Sequence, residues 1–420
     1  MSRVSLSHEN AAAALRSDLA RHPGLADFGE ATSLWTGYVS VLVRAVRTPL
    51  PLPPLLRDFV KLLVQEPGAR ALLRTQPDYR LVHAAHRALR TSDLSAFSTS
   101  TRALAARMED AGALALADTA LQMLLLVRLD EEGIAIDEQG RVIAHRARIT
   151  RQGGNTELSL EQYQSVERIA RVTRSDELYA RAWIGFAVLA MVRGNFPECA
   201  EWFARAATAA NKAGDRDLSR NAHHGSLIAA AKRDAFDDAL RHGWLAFRYS
   251  VGDAQLEAEA LSNLGGVMLQ ARAYRPAAAA FDATLRRDPP ARLAIPALGG
   301  AIVTAARLGD VERARRRYAE LARYAAASDH QWEVTDALIE AATALFLLGD
   351  IAEAERVRAR ALALANEGKF HELEFRAERV ANESPQQAPI TVEMSRETRT
   401  ICEQVEQLDA NELLELSGAQ

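Results

Sequence analysis

Residues 261–290 read LSNLGGVMLQARAYRPAAAAFDATLRRDPP. Leu261, Leu264, Gly265 and Met268 recur at intervals of three and four, the spacing of an apolar stripe along a helix. After a turn at Arg272-Ala273-Tyr274, a second stripe of the same period runs through Ala277, Phe281 and Leu285, and Pro289 follows it. The stretch therefore predicts two amphipathic helices joined by a short turn, with no strand alternation.

Working outward, the same turn signal recurs at Gly154-Asn155-Thr156, Gly194-Asn195-Phe196, Asp234-Ala235-Phe236, Gly309-Asp310-Val311 and Gly349-Asp350-Ile351. Successive starts, with Arg272 included, lie 40, 40, 38, 37 and 40 residues apart. A period of this length implies stacked helical hairpins, each too small to bury its own apolar face. Five residues after each turn start stands a small residue: Ser159, Cys199, Ala239, Ala277, Ala314 and Ala354. Four further on, a ring stands at Tyr163, Phe203, Phe281 and Tyr318, while Gly243 and Arg358 break the rule. A small side chain lets two helix backbones approach, and the ring fills the groove beside it.

These residues resemble the tetratricopeptide repeat family, whose pattern is an opening Trp, a Leu-Gly pair, an Ala-x3-Phe and a terminal Pro. The fourth unit carries Leu261, Leu264, Gly265, Tyr274, Ala277, Phe281, Leu285 and Pro289, with Leu261 and Met268 replacing the usual Trp and Tyr. The second restores the Trp as Trp183, followed by Phe186, Ala187, Gly194, Phe196, Phe203 and Ala206. The family's unit has about 34 residues. The longer units here are similar to those of bacterial regulators with helical sensor arrays and of quorum-sensing peptide receptors. The resemblance, clearest over residues 140–366, implies an all-α, right-handed α-α solenoid of about six hairpins in residues 136–380. Residues 1–135 read as an N-terminal helical cap with one or two eroded units at 79–128, interrupted by the prolines from Pro49. Residues 381–391 read as a linker. Residues 392–420 read as an amphipathic helix carrying Ile401, Val405, Leu408, Leu413 and Leu414, expected to cap the end of the array.

Composition narrows the function. Fifty-one basic against 55 acidic residues give a net charge of −4, which argues against nucleic acid or an anionic membrane as the partner. No stretch reaches the roughly 20 apolar residues of a membrane span, and no secretory signal opens the chain. The two cysteines, Cys199 and Cys402, stand far apart without metal-ligand neighbours, so a reducing cytoplasm is expected. Phosphate-loop, dinucleotide, zinc-protease, serine-hydrolase and Cys-x-x-Cys motifs are missing, so no enzyme, cofactor or metal is expected. His83 and His86 lack third and fourth ligands. His223 and His224, adjacent on a helix, point about 100° apart and cannot share one ion well. Cys199 occupies the close-packing position where other units carry Ser or Ala, and reads as an inert packing residue.

In the resembled family the first helix of each unit lines a concave groove. Carried over by offset from each turn, the groove positions are Arg141, His145, Arg148 and Arg151, then Arg181, Ile184, Val188 and Met191, then Asn221, His224, Ile228 and Lys232. Later units contribute Ser262, Asn263, Arg307, Asp336, Glu340 and Thr343. The series runs from basic through apolar to acidic. Such a groove suits a protein segment or peptide that carries apolar anchors beside acidic residues, and Asn263 suits the two-way hydrogen bonding of a peptide backbone. The resulting expectation is an interaction scaffold. A ligand- or peptide-sensing regulatory module is the alternative, and the exposed ends of a solenoid leave homodimerisation open.

Overall fold

A computed structural model of the chain describes residues 29–47, 51–65, 75–129, 132–380 and 394–418. Among these are 19 helices and no strand, apart from one isolated antiparallel bridge between Leu129 and Glu132. The chain divides into two compact units at Leu189/Ala190.

The first unit holds α1 (Gly29–Arg47), α2 (Leu52–Gln65), α3 (Pro77–Arg90), α4 (Leu94–Asp110), α5 (Leu114–Leu126), α6 (Ile136–Gln152), α7 (Thr156–Thr173) and most of α8 (Asp176–Val192). Pro53 and Pro54 sit in the first turn of α2, where a missing N–H costs nothing. Trp35, Tyr38 and Leu42 of α1 join Phe97, Leu104, Met108 and Leu121 in one buried cluster. Inside it, the Tyr38 hydroxyl and Thr101 Oγ1 lie 2.7 Å apart. Burial raises the Tyr38 phenol far above its ordinary range, only partly opposed by that bond.

Helices α4 and α5 form a hairpin upstream of the six read from the sequence. Its turn residue, Gly112, has φ 76°, close to the 73° of Gly194, and the fully buried Ala117 stands five residues on, as Cys199 does. Of the rest of the expected N-terminal cap, residues 1–28 lie outside the described residues.

The second unit holds α9 (Phe196–Ala213), α10 (Arg216–Ala231), α11 (Phe236–Ser250), α12 (Ala254–Gln270), α13 (Tyr274–Arg286), α14 (Ala291–Arg307), α15 (Val311–Ala327), α16 (Gln331–Leu347), α17 (Ile351–Gly368), α18 (His371–Arg379) and α19 (Arg396–Gly418). The expected linker, 381–391, lies outside the described residues.

Each predicted turn works by one device. Its first residue is left-handed, which ends a helix: φ is 73° at Gly194, and even Asp234 and Arg272 adopt 55° and 61°. In the turns at Gly154, Gly194 and Gly309 the next side chain starts the following helix, whereas Asp350 makes no such bond. Asn195 Oδ1 accepts from the Glu198 N–H at 3.3 Å and Asp310 Oδ1 from the Arg313 N–H at 3.0 Å.

The rings have a definite receiver. Tyr163 of α7 lies on Gly185 of α8, Phe203 of α9 on Gly225 of α10, and Phe281 of α13 on Gly300 of α14. A Cβ at any of these glycines would overlap the ring. Where the ring is missing, Gly243 makes room for Leu227 and Leu264 instead. Cys199, Ala239 and Ala277 are fully buried at the close-packing position, and Ser159 there donates to the Ala147 carbonyl at 2.8 Å.

One expectation is corrected. Helix α19 does not stack on the last hairpin; it packs against α11 and α13, the second helices of two interior hairpins. Ile401, Cys402 and Val405 enter the same apolar cluster as Leu240, Phe247, Ala279 and Ala283. The reason lies in α13, whose run of alanines leaves a shallow apolar surface that a helix can approach closely. Asp237 of α11 fixes the start of α19, accepting from the Ser395 N–H at 3.2 Å and from the Thr398 hydroxyl. Side chains beyond Leu408, with Leu413 and Leu414 among them, lie outside the described residues.

Candidate binding surface on the first helices

In the first unit the first helices α4, α6 and α8 carry a ladder of ion pairs. Glu138 of α6, 4% exposed, accepts from Ser98 Oγ at 2.6 Å, Arg102 Nε at 2.7 Å and Arg141 Nη1 at 2.9 Å. Arg141 also grips Glu177 of α8 through Nε and Nη2, the latter at 2.7 Å, while Arg181 Nε donates to the other Glu177 oxygen at 2.8 Å. Glu109 of α4 takes His145 Nε2 at 2.9 Å and Arg148 Nη2 at 2.6 Å.

The electrostatics follow from these contacts. Burial alone would raise the Glu109 and Glu177 carboxyls. The His145 and Arg148 contacts in one case, and the Arg141 and Arg181 contacts in the other, outweigh it and hold both at about 2. Burial lowers His145 despite its bond to Glu109. Arg151 acts on the Tyr163 phenol, which burial raises. Ile184 and Val188 are half-buried on α8.

The predicted basic end is therefore compensated from within. Sequence offsets from the turns named Arg141, His145, Arg148 and Arg181, but not Glu109, Glu138 and Glu177. The missed signal was a spacing: Arg102 and Glu138, Arg141 and Glu177, and Glu109 and His145 each lie 36 residues apart, about one repeat. Arg148, with 49% of its side chain exposed, is the most accessible member of the ladder.

In the second unit Met191 and Ile228 are half-buried, and Asn221 and Lys232 are exposed without joining a cluster. His224 and Asn263 do come together: Asn263 Nδ2 lies 3.2 Å from His224 Nε2, and Glu259 Oε1 lies 4.0 Å from His224 Nδ1. These three side chains and Arg220 share one cleft floored by Leu227 and Leu256. Burial lowers the His224 pKa, against the pull of Glu259. His223 faces away, stacking on His242 and Tyr249 at centroid distances of 5.3 and 5.8 Å. Burial, then the charge of His242, brings His223 down to about 4. Burial pushes the Cys199 thiol up to about 11, as its packing position implies.

The far groove positions differ from the acidic end read in the sequence. Arg376 of α18, beyond the six predicted hairpins, binds Asp336 and also Glu340, the latter at 2.9 Å. Among the described residues no three His, Cys, Asp or Glu side chains converge as metal ligands, and no helix is long and apolar enough to cross a membrane.

No protein-family model matches the chain, and no curated protein matches it. Among solved structures, it is similar to a Signal Transduction ATPase with Numerous Domains protein with a tetratricopeptide repeat sensor from Pyrococcus horikoshii. That likeness has a TM-score of 0.50 at 14% identity, over 77% of this chain and 55% of the other, so the chain spans about half of that protein's length. It is also similar to the apo form of the quorum sensor NprR from B. thuringiensis, with a TM-score of 0.51 at 12% identity over 78% of this chain and 94% of that one. Together with the hairpin geometry, these likenesses place the chain in the all-α class built from tetratricopeptide-like helical hairpins.

Proposed function

We propose that this chain is a non-catalytic binding module whose first-helix faces take up a peptide or an extended protein segment. The observation that carries the reading is the His224–Asn263 pair. One amide hydrogen of Asn263 is engaged by His224, its carbonyl oxygen forms no hydrogen bond among the described residues, and the residue lines a narrow cleft of about 10 Å³ beside Leu227 and Leu256. An amide held in this way is pre-oriented for a main-chain N–H, and fixing it in advance reduces the ordering cost of binding. Arg148 supplies an accessible cation for an acidic side chain of a ligand on the first unit's face. A sensing role is favoured over a passive scaffold by the two similar structures, one a protein with a tetratricopeptide repeat sensor and the other a quorum sensor.

The test is a screen of a displayed random-peptide library on the full chain, followed by titration of the enriched sequences. Enriched peptides should combine apolar and acidic residues; those bound at the second unit's cleft should weaken about tenfold or more, some 1.4 kcal/mol, with Asn263→Ala, and those bound on the first unit's face with Arg148→Glu. Absence of enrichment, or binders indifferent to both substitutions, refutes the reading.

A further inference from the structure

Between the ends of α12, α14 and α16 and the short helix α18 lies a cavity of about 350 Å³. Cavities that hold small ligands occupy roughly 300–1,000 Å³. Leu269, Val303, Ile339 and Val380 give it an apolar floor. Its rim carries four guanidinium groups, Arg272, Arg307, Arg376 and Arg379, against a single carboxylate, Glu340.

That carboxylate is already spent. Arg376 spans Asp336 and Glu340, so the one anionic group of the lining is neutralised before any ligand arrives. Glu333 and Glu372 act on Asp336, and none of these three lines the cavity. Arg307, exposed at the end of α14, has no ion pair among the described residues, and Arg379 lies over the Phe375 ring at 5.6 Å instead of on an acid. Tyr274 lines the same wall and carries a neutral hydroxyl.

A concave apolar surface rimmed by planar cationic forks is complementary to a body of small apolar volume ending in an oxyanion, because guanidinium groups bind carboxylate and phosphate oxygens in pairs. We infer that this cavity binds a small ligand in which a carboxylate or phosphate is attached to a compact apolar group. The site goes beyond peptide capture at the His224–Asn263 cleft and shares no residue with it.

Calorimetric titration of the full chain with phenyl phosphate, phenylacetate and benzyl alcohol tests the assignment. One or both anions should bind while benzyl alcohol does not, and the tighter anion identifies the source of the charge. Arg307→Gln and Arg379→Gln, both at exposed positions, should each weaken the bound anion about tenfold and leave the melting temperature of the unliganded protein unchanged. Asn263→Ala should leave anion binding intact, which separates failure of this site from failure of the peptide reading. Two results overturn the assignment: no binding of either anion at millimolar concentration, or equal binding by the wild type and both arginine variants.

Discussion

The ring of Phe203 rests on the bare α-carbon of Gly225, so the second helix of one hairpin touches the backbone of the next hairpin's first helix. A methyl group at Gly225 would overlap the ring, whereas one at Gly266, also in a first helix, would meet open space. Gly225→Ala should therefore destabilise the protein by about 1–3 kcal/mol through overpacking. Gly266→Ala should be neutral or stabilising by up to about 1 kcal/mol, because it removes a helix-weakening glycine. Thermal or denaturant unfolding of the pair checks this, and equal effects would refute the contact.

Glu177 predicts a pH dependence. Its folded pKa, about 2, lies below the ordinary 4.5, so the unfolded chain binds the proton more tightly. Its contribution to stability is therefore complete above the ordinary value and is lost as the pH falls towards 2. Glu177→Gln should cost about 1–2 kcal/mol near pH 7, and the gap to the wild type should close steadily from about pH 5 downwards. A gap constant down to pH 3 in denaturant titrations would show that the Arg141 and Arg181 contacts contribute nothing.

Tyr38 and Thr101 form a buried hydroxyl pair at 2.7 Å. Tyr38→Phe strands the Thr101 hydroxyl in an apolar cluster, and a loss of about 1–2 kcal/mol is expected. Replacing both, as Tyr38→Phe with Thr101→Val, should recover part of it, since no polar group is then left unpaired. A double-mutant cycle measures the difference.

Helix α19 is held by few side chains, and Val405 is fully buried among them. Val405→Asp should release it while the hairpins stay folded. Cys402 reports the event: burial holds its thiol up at about 11, so it should resist a disulfide reagent at pH 8 in the wild type and react in the variant. Cys199, fully buried between hairpins, should remain unreactive in both. Simultaneous exposure of the two thiols would mean that α19 and the hairpins unfold together.

The hairpins were legible because their punctuation is local. A left-handed residue followed by Asn or Asp ends one helix and begins another, and that pair is visible in the chain at Gly194-Asn195 and Gly309-Asp310. The α4–α5 hairpin, which falls within the eroded units read at 79–128, carries a weaker signal because its turn, Ala111-Gly112-Ala113, lacks the capping Asn or Asp, and because Leu121 stands where other units place a ring. The seat of α19 was hidden for another reason. A C-terminal amphipathic helix announces its apolar side but not the surface it covers, and only the folded arrangement shows that it shares a cluster with the alanines of α13. For the candidate site, transfer by repeat offset named residues on the first helices but not the charges that pair with them. Arg141 was named and Glu177 was not, since a position-by-position transfer looks along one helix and the ion pair runs across two.

That cross-strutting bears on how such a chain can change in length. Arg141 finds Glu177, Arg102 finds Glu138 and Arg376 finds Glu340 at the same separation of 36 residues. In the first two pairs the halves sit on successive first helices, and in the third on α16, the first helix of the sixth hairpin, and on α18, which follows that hairpin. A tandem duplication of one hairpin would thus bring both halves of a joint with it, each ready to close on the copy. Growth by whole modules keeps the charges matched, whereas an insertion of a few residues within a helix would break every joint it crosses.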